Sequence, residues 1–313
     1  MRVVALVPGG IGDQILLFPT LDDLKLYYPN AQIDVVVEPR SKAAYRVSKS
    51  VNEVLTFDYK DRNSLADWGN LVGMIRDREY DVAIAVGQSW LVGLMLWLTG
   101  IPTRIGYQGK GAVFLTKTIP FKPSQYLPEL YHDLLQLLNI QSPCPELAVN
   151  VPKPDLEWAQ NEQKRLGINE TGYVLIYPGS SPSSQIYAVK NWRQIIQDFQ
   201  QKQPDLPVVI VKEPEDEQIV RSLLETCHHL KVTSPDNIGK LAAFVGGASL
   251  MLTTDRVALP LSVAVQTYTI GLFGATDPAQ LLPTSEKFLA IKSPTGKLAD
   301  ISPTVVLDKI WGS

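Results

Sequence analysis

Arg2-Val-Val-Ala-Leu-Val-Pro8 runs directly into Gly9-Gly-Ile-Gly-Asp13, an apolar stretch that ends in small residues. A short apolar run of this kind reads as a strand buried on both faces, as in a parallel sheet, and the glycines after it as a tight turn into a helix. In the second half Tyr173-Val-Leu-Ile-Tyr177 leads into Pro178-Gly-Ser-Ser181 in the same way. Such turns free backbone N–H groups at the C-terminal edge of a sheet, beside a helix N-terminus whose partial positive charge attracts phosphate or carboxylate. Two of them predict an α/β protein with two doubly wound, Rossmann-like domains facing a shared cleft.

The rest of the chain fits that plan. Residues 33–37, 54–57 and 81–86 read as short buried strands, with helical patterns over 13–28, 65–78 and 126–138. After residue 138, Gln141-Ser-Pro-Cys-Pro-Glu146 and Val151-Pro-Lys-Pro154 break every regular pattern and read as an interdomain linker. Strands follow at 173–177, 208–211, 250–253 and 268–273, with helices over 156–166, 192–201, 216–227 and 238–245. Pro303 opens a last helix to Trp311. The expected domains are 1–150 and 151–300, with a terminal helix over 301–313 packing back on them.

Composition narrows the function. The 313 residues, 45% of them hydrophobic, suffice for two cores. A net charge of −3 with thinly spread Lys and Arg gives no basic stripe, so nucleic acid is excluded as a partner. Cys144 and Cys227 stand alone and outside any zinc-ligand spacing, which reads as two reduced thiols in a cytoplasmic protein. The N-terminus opens on a strand with no cleavable signal pattern. Residues 82–101 form a twenty-residue uncharged stretch, long enough to span a bilayer. Gly87-Gln-Ser89 divides it into a strand and a helix, Trp90 to Leu98, which is apolar nearly all round and suits a peripheral membrane or protein contact.

Several side chains at these strand ends bear chemistry. Asp13, where the first helix begins, reads either as a general base or as a carboxylate capping free N–H groups. Lys190, just before Asn191-Trp192, suits a diphosphate as a point charge or is a solvated loop lysine. Glu215-Asp216-Glu217 opens a helix after the 208–211 strand, so its carboxylates either complement the helix dipole or accept hydrogen bonds from a ribose. The glycine run lacks the regular spacing of a dinucleotide fingerprint, and Glu38 is a weak ribose ligand. No D-x-D pair follows a strand, and His132, His228 and His229 have no carboxylate at ligand spacing, so no metal site is expected.

Gly12-Asp13 with Pro19, Leu24-Lys25 and Pro29, Tyr177-Pro-Gly-Ser-Ser181 with Lys190-Asn-Trp192, and Leu272-Phe-Gly-Ala-Thr-Asp-Pro278 together resemble glycosyltransferase family 9, the heptosyltransferase-like family. The resemblance implies a GT-B fold and a metal-independent transfer from a nucleotide-diphosphate sugar to the hydroxyl of a cell-surface glycan or lipid-linked acceptor, with no further cofactor. It makes Asp13 the base. Gly179, Ser180, Ser181 and Lys190 would hold the diphosphate, Asp216 or Glu217 the ribose, and Asp255, Gly274 and Thr276 the rest of the donor. Gly10 and Gly12 would lie on the acceptor side, and Arg40, Arg62, Arg76 and Arg104 of this chain read either as cations for an anionic acceptor or as solvated surface arginines.

Two departures accompany the match. Where the family has Asp-Thr-Gly, two further residues and His, this chain has Asp255-Arg-Val-Ala-Leu-Pro260. Val257 puts a branched side chain where glycine admits a phosphate, and Pro260 removes the imidazole and predicts a helix start near residue 260. Val7-Pro8 stands where many relatives carry a basic residue. There an anionic acceptor would miss a charge. Val257, Pro260 and the apolar Trp90 to Leu98 helix carry the alternative reading, a GT-B homologue without catalysis that serves as a binding or assembly factor at a membrane or elsewhere.

Overall fold

The computed structural model describes residues 1–59, 64–179, 186–254 and 257–312. The chain divides into two compact units, Met1–Asn150 and a second beginning at Val151. In the first, β1 (Arg2–Val7), β2 (Gln32–Val37), β3 (Glu53–Thr56), β4 (Val82–Ala85), β5 (Thr103–Tyr107) and β6 (Lys117–Ile119) form a six-stranded sheet in the order β3-β2-β1-β4-β5-β6. In the second, β7 (Val174–Tyr177), β8 (Val208–Val211), β9 (Lys231–Thr233), β10 (Leu250–Thr253), β11 (Thr269–Phe273) and β12 (Phe288–Lys292) follow the order β9-β8-β7-β10-β11-β12. The pairings of β1 with β2 and β4, and of β7 with β8 and β10, are all parallel. The two orders are the same, and each reverses beside its first strand. Ligands of open α/β sheets collect at that switch point, outside the strand C-termini.

Strands were legible where both faces are buried. Val3 to Leu6 and Val174 to Ile176 are fully enclosed, and their branched residues fit a pleated interior. The strands β6, β9 and β12, which escape the sequence pattern, lie at or beside sheet edges and are short or half-exposed, so they need no continuous apolar run. The pattern also missed β5, whose Gly106 lies where a Cβ would meet Leu115 at 2.8 Å.

The 13–28 helix is in fact two, α1 (Ile11–Leu16) and α2 (Phe18–Tyr27), joined at Leu17. Pro19 lacks an N–H and its ring crowds the carbonyl four residues back, so one continuous helix cannot pass it. The helices α3 (Leu65–Arg76) and α4 (Trp90–Leu98) start at Ser64 and Ser89, whose hydroxyls accept the N–H groups of Asp67 and Val92. Among the described residues no helix is long and apolar enough to cross a membrane. The 126–138 pattern begins as α5 (Leu127–Asp133) and tightens to a 3-10 turn, Leu134–Leu138.

The stretch read as a linker lies against the first unit up to Asn150. Leu147 is buried, Ser142 hydrogen-bonds Asp23, and the Asn150 N–H donates to Val47. Pro154 then enters the first turn of α6 (Lys153–Leu166), where a missing N–H costs no helix bond. In the second unit α7 (Val189–Lys202) buries Trp192, Ile195, Ile196 and Phe199 against β7 and β8. The terminal α11 (Pro303–Trp311) packs on α7, with Trp311 donating to Asp198 at 2.7 Å. Between them α8 (Glu217–Leu224), α9 (Ile238–Gly246) and α10 (Ala258–Ala264) complete the fold. Pro260 falls in the first turn of α10, whose N-cap is Val257.

Candidate functional site

At the end of β1 the chain turns through Gly9, whose φ of +123° only glycine adopts without strain. A Cβ there would lie 2.5 Å from Asp13 Oδ2. The N–H groups of this turn are taken by the protein's own carboxylates. Gly9 donates to Glu38 Oε1 at 3.3 Å, and Gly10 donates to Asp13 Oδ2 at 2.8 Å. Ser41 Oγ donates to the Gly9 carbonyl at 2.7 Å. Gln14, fully buried, donates to Val7 and accepts from Tyr45. The sequence read this turn as an attractor of phosphate or carboxylate; the described geometry gives it two carboxylates.

Asp13 is half-buried on the first turn of α1, where it caps a free N–H, one of the two readings its sequence position allows. Its Oδ2 caps Gly10, while Oδ1 makes no hydrogen bond among the described residues. Tyr131 of α5 is close enough that the charge on Asp13, after burial itself, raises the phenol above its ordinary range. Tyr131 gave no signal in the sequence, because helix packing and not local pattern brings α5 against α2, the helix that follows α1. Its neighbour His132 is buried and meets Asp23 at 2.9 Å, a pairing that ligand spacing could not reveal either.

Of the acceptor-side residues, Gly10 caps α1 and Gly12 is buried within it. Arg40 joins the same turn: its Nε and Nη2 lie 2.8 and 2.6 Å from Glu38 Oε2, with the side chain 61% exposed. Arg104 does not join them. It pairs in register with Ala83 near the start of β5, and its guanidinium is held by the carbonyls of Phe114 and Ile101. Arg104 ties a loop to the start of its strand. Arg62 lies outside the described residues.

The second turn is built differently. Pro178 ends β7, its carbonyl accepts from Thr254 Oγ1 at the end of β10, and Gly179 follows in the left-handed region at φ +67°. Ser180, Ser181 and Asp255 lie outside the described residues. The N-cap of α7 is Ala188, with no side-chain cap, and exposed Lys190 sits in the first turn with no ion pair among the described residues. A cation at the positive end of a helix is unfavourable by about 0.3–1 kcal/mol unless an anion joins it. Asp216 is fully buried beneath the start of α8, whereas Glu217 is 71% exposed and only 3.8 Å from Lys212 Nζ. At Gly274 a Cβ would stand 3.0 Å from the Gly296 carbonyl, and the Thr276 carbonyl accepts from Lys292. Both therefore hold the loop after β11. Among the described residues no three His, Cys, Asp or Glu gather as metal ligands.

Comparison with known proteins bears on this geometry. Residues 68–310 match the family model described as glycosyltransferase family 9 (heptosyltransferase). The chain is 24% identical over 334 residues to the chloroplastic photosynthetic NDH subunit of subcomplex B 1 of Arabidopsis thaliana, covering 96% of this chain and 71% of that protein. It is 21% identical to lipopolysaccharide heptosyltransferase 3 of Escherichia coli, over 89% of this chain and 85% of that one. The crystal structure of E. coli heptosyltransferase WaaC with ADP-2-deoxy-2-fluoro heptose superposes with a TM-score of 0.78 at 17% identity, over 100% of this chain and 99% of that chain.

Proposed function

We propose, given that the chain belongs to glycosyltransferase family 9, that it moves a sugar from a nucleotide-diphosphate donor to the hydroxyl of a cell-surface glycan or lipid-linked acceptor, without a metal ion. The observation that carries this reading is Asp13, oriented through Oδ2 by the Gly10 N–H and left with Oδ1 to accept a proton. In this reading Asp13 takes the acceptor proton as the oxygen attacks the anomeric carbon, and the bond from that carbon to the diphosphate breaks. Charge then grows on the leaving group, and the uncapped start of α7 with Lys190 is suited to receive it. Gly179, Ser180 and Ser181 belong to the same anion site. Glu217 is the accessible ribose ligand, whereas Asp216 is enclosed. Arg40 is the acceptor-side cation that the first turn retains. The protein would work in the cytoplasm, peripherally at a membrane through Trp90 to Leu98.

Sugar transfer, or donor hydrolysis, by the purified protein tests this. Asp13→Ala is expected to lower the rate by about 10²–10⁴-fold, and an unchanged rate removes Asp13 from the mechanism.

A second reading, a family member that binds without catalysing, is favoured by the NDH-subunit relative and by Val257-Ala-Leu-Pro260 in place of the family's glycine and histidine. Calorimetric titration with ADP and UDP separates the two, since a donor site retains nucleoside-diphosphate affinity and a converted scaffold lacks it.

A further inference from the structure

Helix α4 carries a run of the exposed apolar side chains of the first unit. Helix α4 buries Val92, Gly93, Met95 and Leu96 inward and turns Trp90, Leu94, Trp97 and Leu98 outward, a stripe at i, i+4, i+7 and i+8. Trp90 and Trp97 are each 54% exposed and Leu98 51%. An outward stripe on a helix of a water-soluble surface is ordinarily polar; this one holds no charge at all. Beside it a groove of about 530 Å³ runs between α3 and α4, walled by Leu65, Trp68, Val72, Leu91, Leu94 and Leu98. One cation stands in its lining, Arg76, exposed and without a hydrogen bond or ion pair among the described residues.

We propose that this face is a seat for an anionic lipid bilayer, with α4 lying in the interface, an acyl chain entering the α3–α4 groove and its phosphate headgroup on Arg76. The proposal deepens, and rests on, the peripheral membrane placement given above. Three features select this occupant. An apolar groove with a single unpaired guanidinium at its side complements an anionic amphiphile, apolar at one end and charged at the other. The surround decides between a bilayer and one bound fatty acid: a lone acyl chain would fill the groove and leave Trp90, Trp97 and Leu98 in water, whereas a bilayer covers both. The two indoles, two turns apart, make no hydrogen bond among the described residues, unlike Trp311 on Asp198, and a headgroup layer supplies partners for such N–H groups. Nine residues of helix extend about 13 Å, too short to span, so α4 lies along the interface.

The full-length protein, with no nucleotide or acceptor present, is floated with vesicles of phosphatidylcholine alone or containing one third phosphatidylglycerol. Co-flotation with a blue shift of tryptophan emission is expected, stronger on the anionic vesicles. Trp97→Glu is expected to weaken partitioning by about 30-fold or more, and Arg76→Gln to abolish the preference for phosphatidylglycerol while leaving binding to phosphatidylcholine. Unchanged circular dichroism and unfolding midpoint confirm that both variants fold, as their exposure leads one to expect. Failure of the wild-type protein to float, or flotation of Trp97→Glu like wild type, overturns the proposal. So does binding of monomeric decanoate without vesicle binding, or a concentration-dependent dimer that Trp97→Glu abolishes, which would give the face to a second copy. Because no donor is present, any of these outcomes leaves the transferase reading standing, and loss of transferase activity leaves this one standing.

Discussion

The turn after β1 and the turn after β7 occupy the same position in two sheets of identical strand order, yet their described residues differ in charge. In the first, Glu38 and Asp13 take the N–H groups of Gly9 and Gly10, so the positive end of α1 is neutralised from within. In the second, α7 starts at Ala188 without a side-chain cap and adds a lysine to its positive end. A switch point is thus only an address. Whether it holds an anion or a base depends on which side chains reach its amides first. A carboxylate beside the first turn suits removal of a proton, and a helix start with Lys190 and no side-chain cap among the described residues suits a diphosphate.

The sharpest way to break this comparison is to exchange its consequences. Asp13→Asn is expected to reduce transfer by about 10²–10⁴-fold with nucleotide affinity unchanged by calorimetry. A parallel loss of affinity would mean that the two turns do not divide the labour. Lys190→Ala is expected to do the converse, weakening nucleoside-diphosphate binding by about 10–100-fold, with an effect that shrinks at high salt.

The glycines sharpen it further through stability. Gly9→Ala puts a Cβ against Asp13 at a φ outside the ordinary left-handed well, and about 2–3 kcal/mol of destabilisation is expected in denaturant titration. Gly179→Ala, at φ +67°, is expected to cost only about 1 kcal/mol. Equal losses would show that the first turn is no more constrained than the second.

The smallest effect concerns the strap under the first unit. Burial, then the charges of Glu129, Asp23 and Asp133, push the Cys144 thiol up to about 12. An unfolded thiol ionises near ~8.5, so the folded state holds the proton more tightly. Stability is therefore intact below that pH and falls as pH rises toward 12. Between pH 7.5 and 9.5 a loss of about 1 kcal/mol is expected, and Cys144→Ser should remove that share of the slope.

Local pattern carried the central strands, the serine-capped helices and the residues at both turns, because continuous burial and capping are written in neighbouring residues. The places of Asp13 and Lys190 at helix starts and of Gly179 after β7 were legible for that reason. Glu38 was weighed only as a ribose ligand, yet it holds Gly9 across the β1–β2 pair. Arg104 looked like any surface arginine, yet its guanidinium is fixed by Ile101 and Phe114. Both fates rest on partners that only folding brings near.

By itself, the sequence determined two parallel sheets, the glycine turns that end their first strands and the apolar character of Trp90 to Leu98, since each follows from side chains a few positions apart. Only the tertiary structure decided that the first turn is filled by carboxylates, that the charge of Asp13 reaches the Tyr131 phenol and that α4 turns its tryptophans outward beside an apolar groove. The physical reason is range. Backbone conformation and capping are set locally, whereas charge complementarity and burial are settled by groups far apart in the chain that packing brings together.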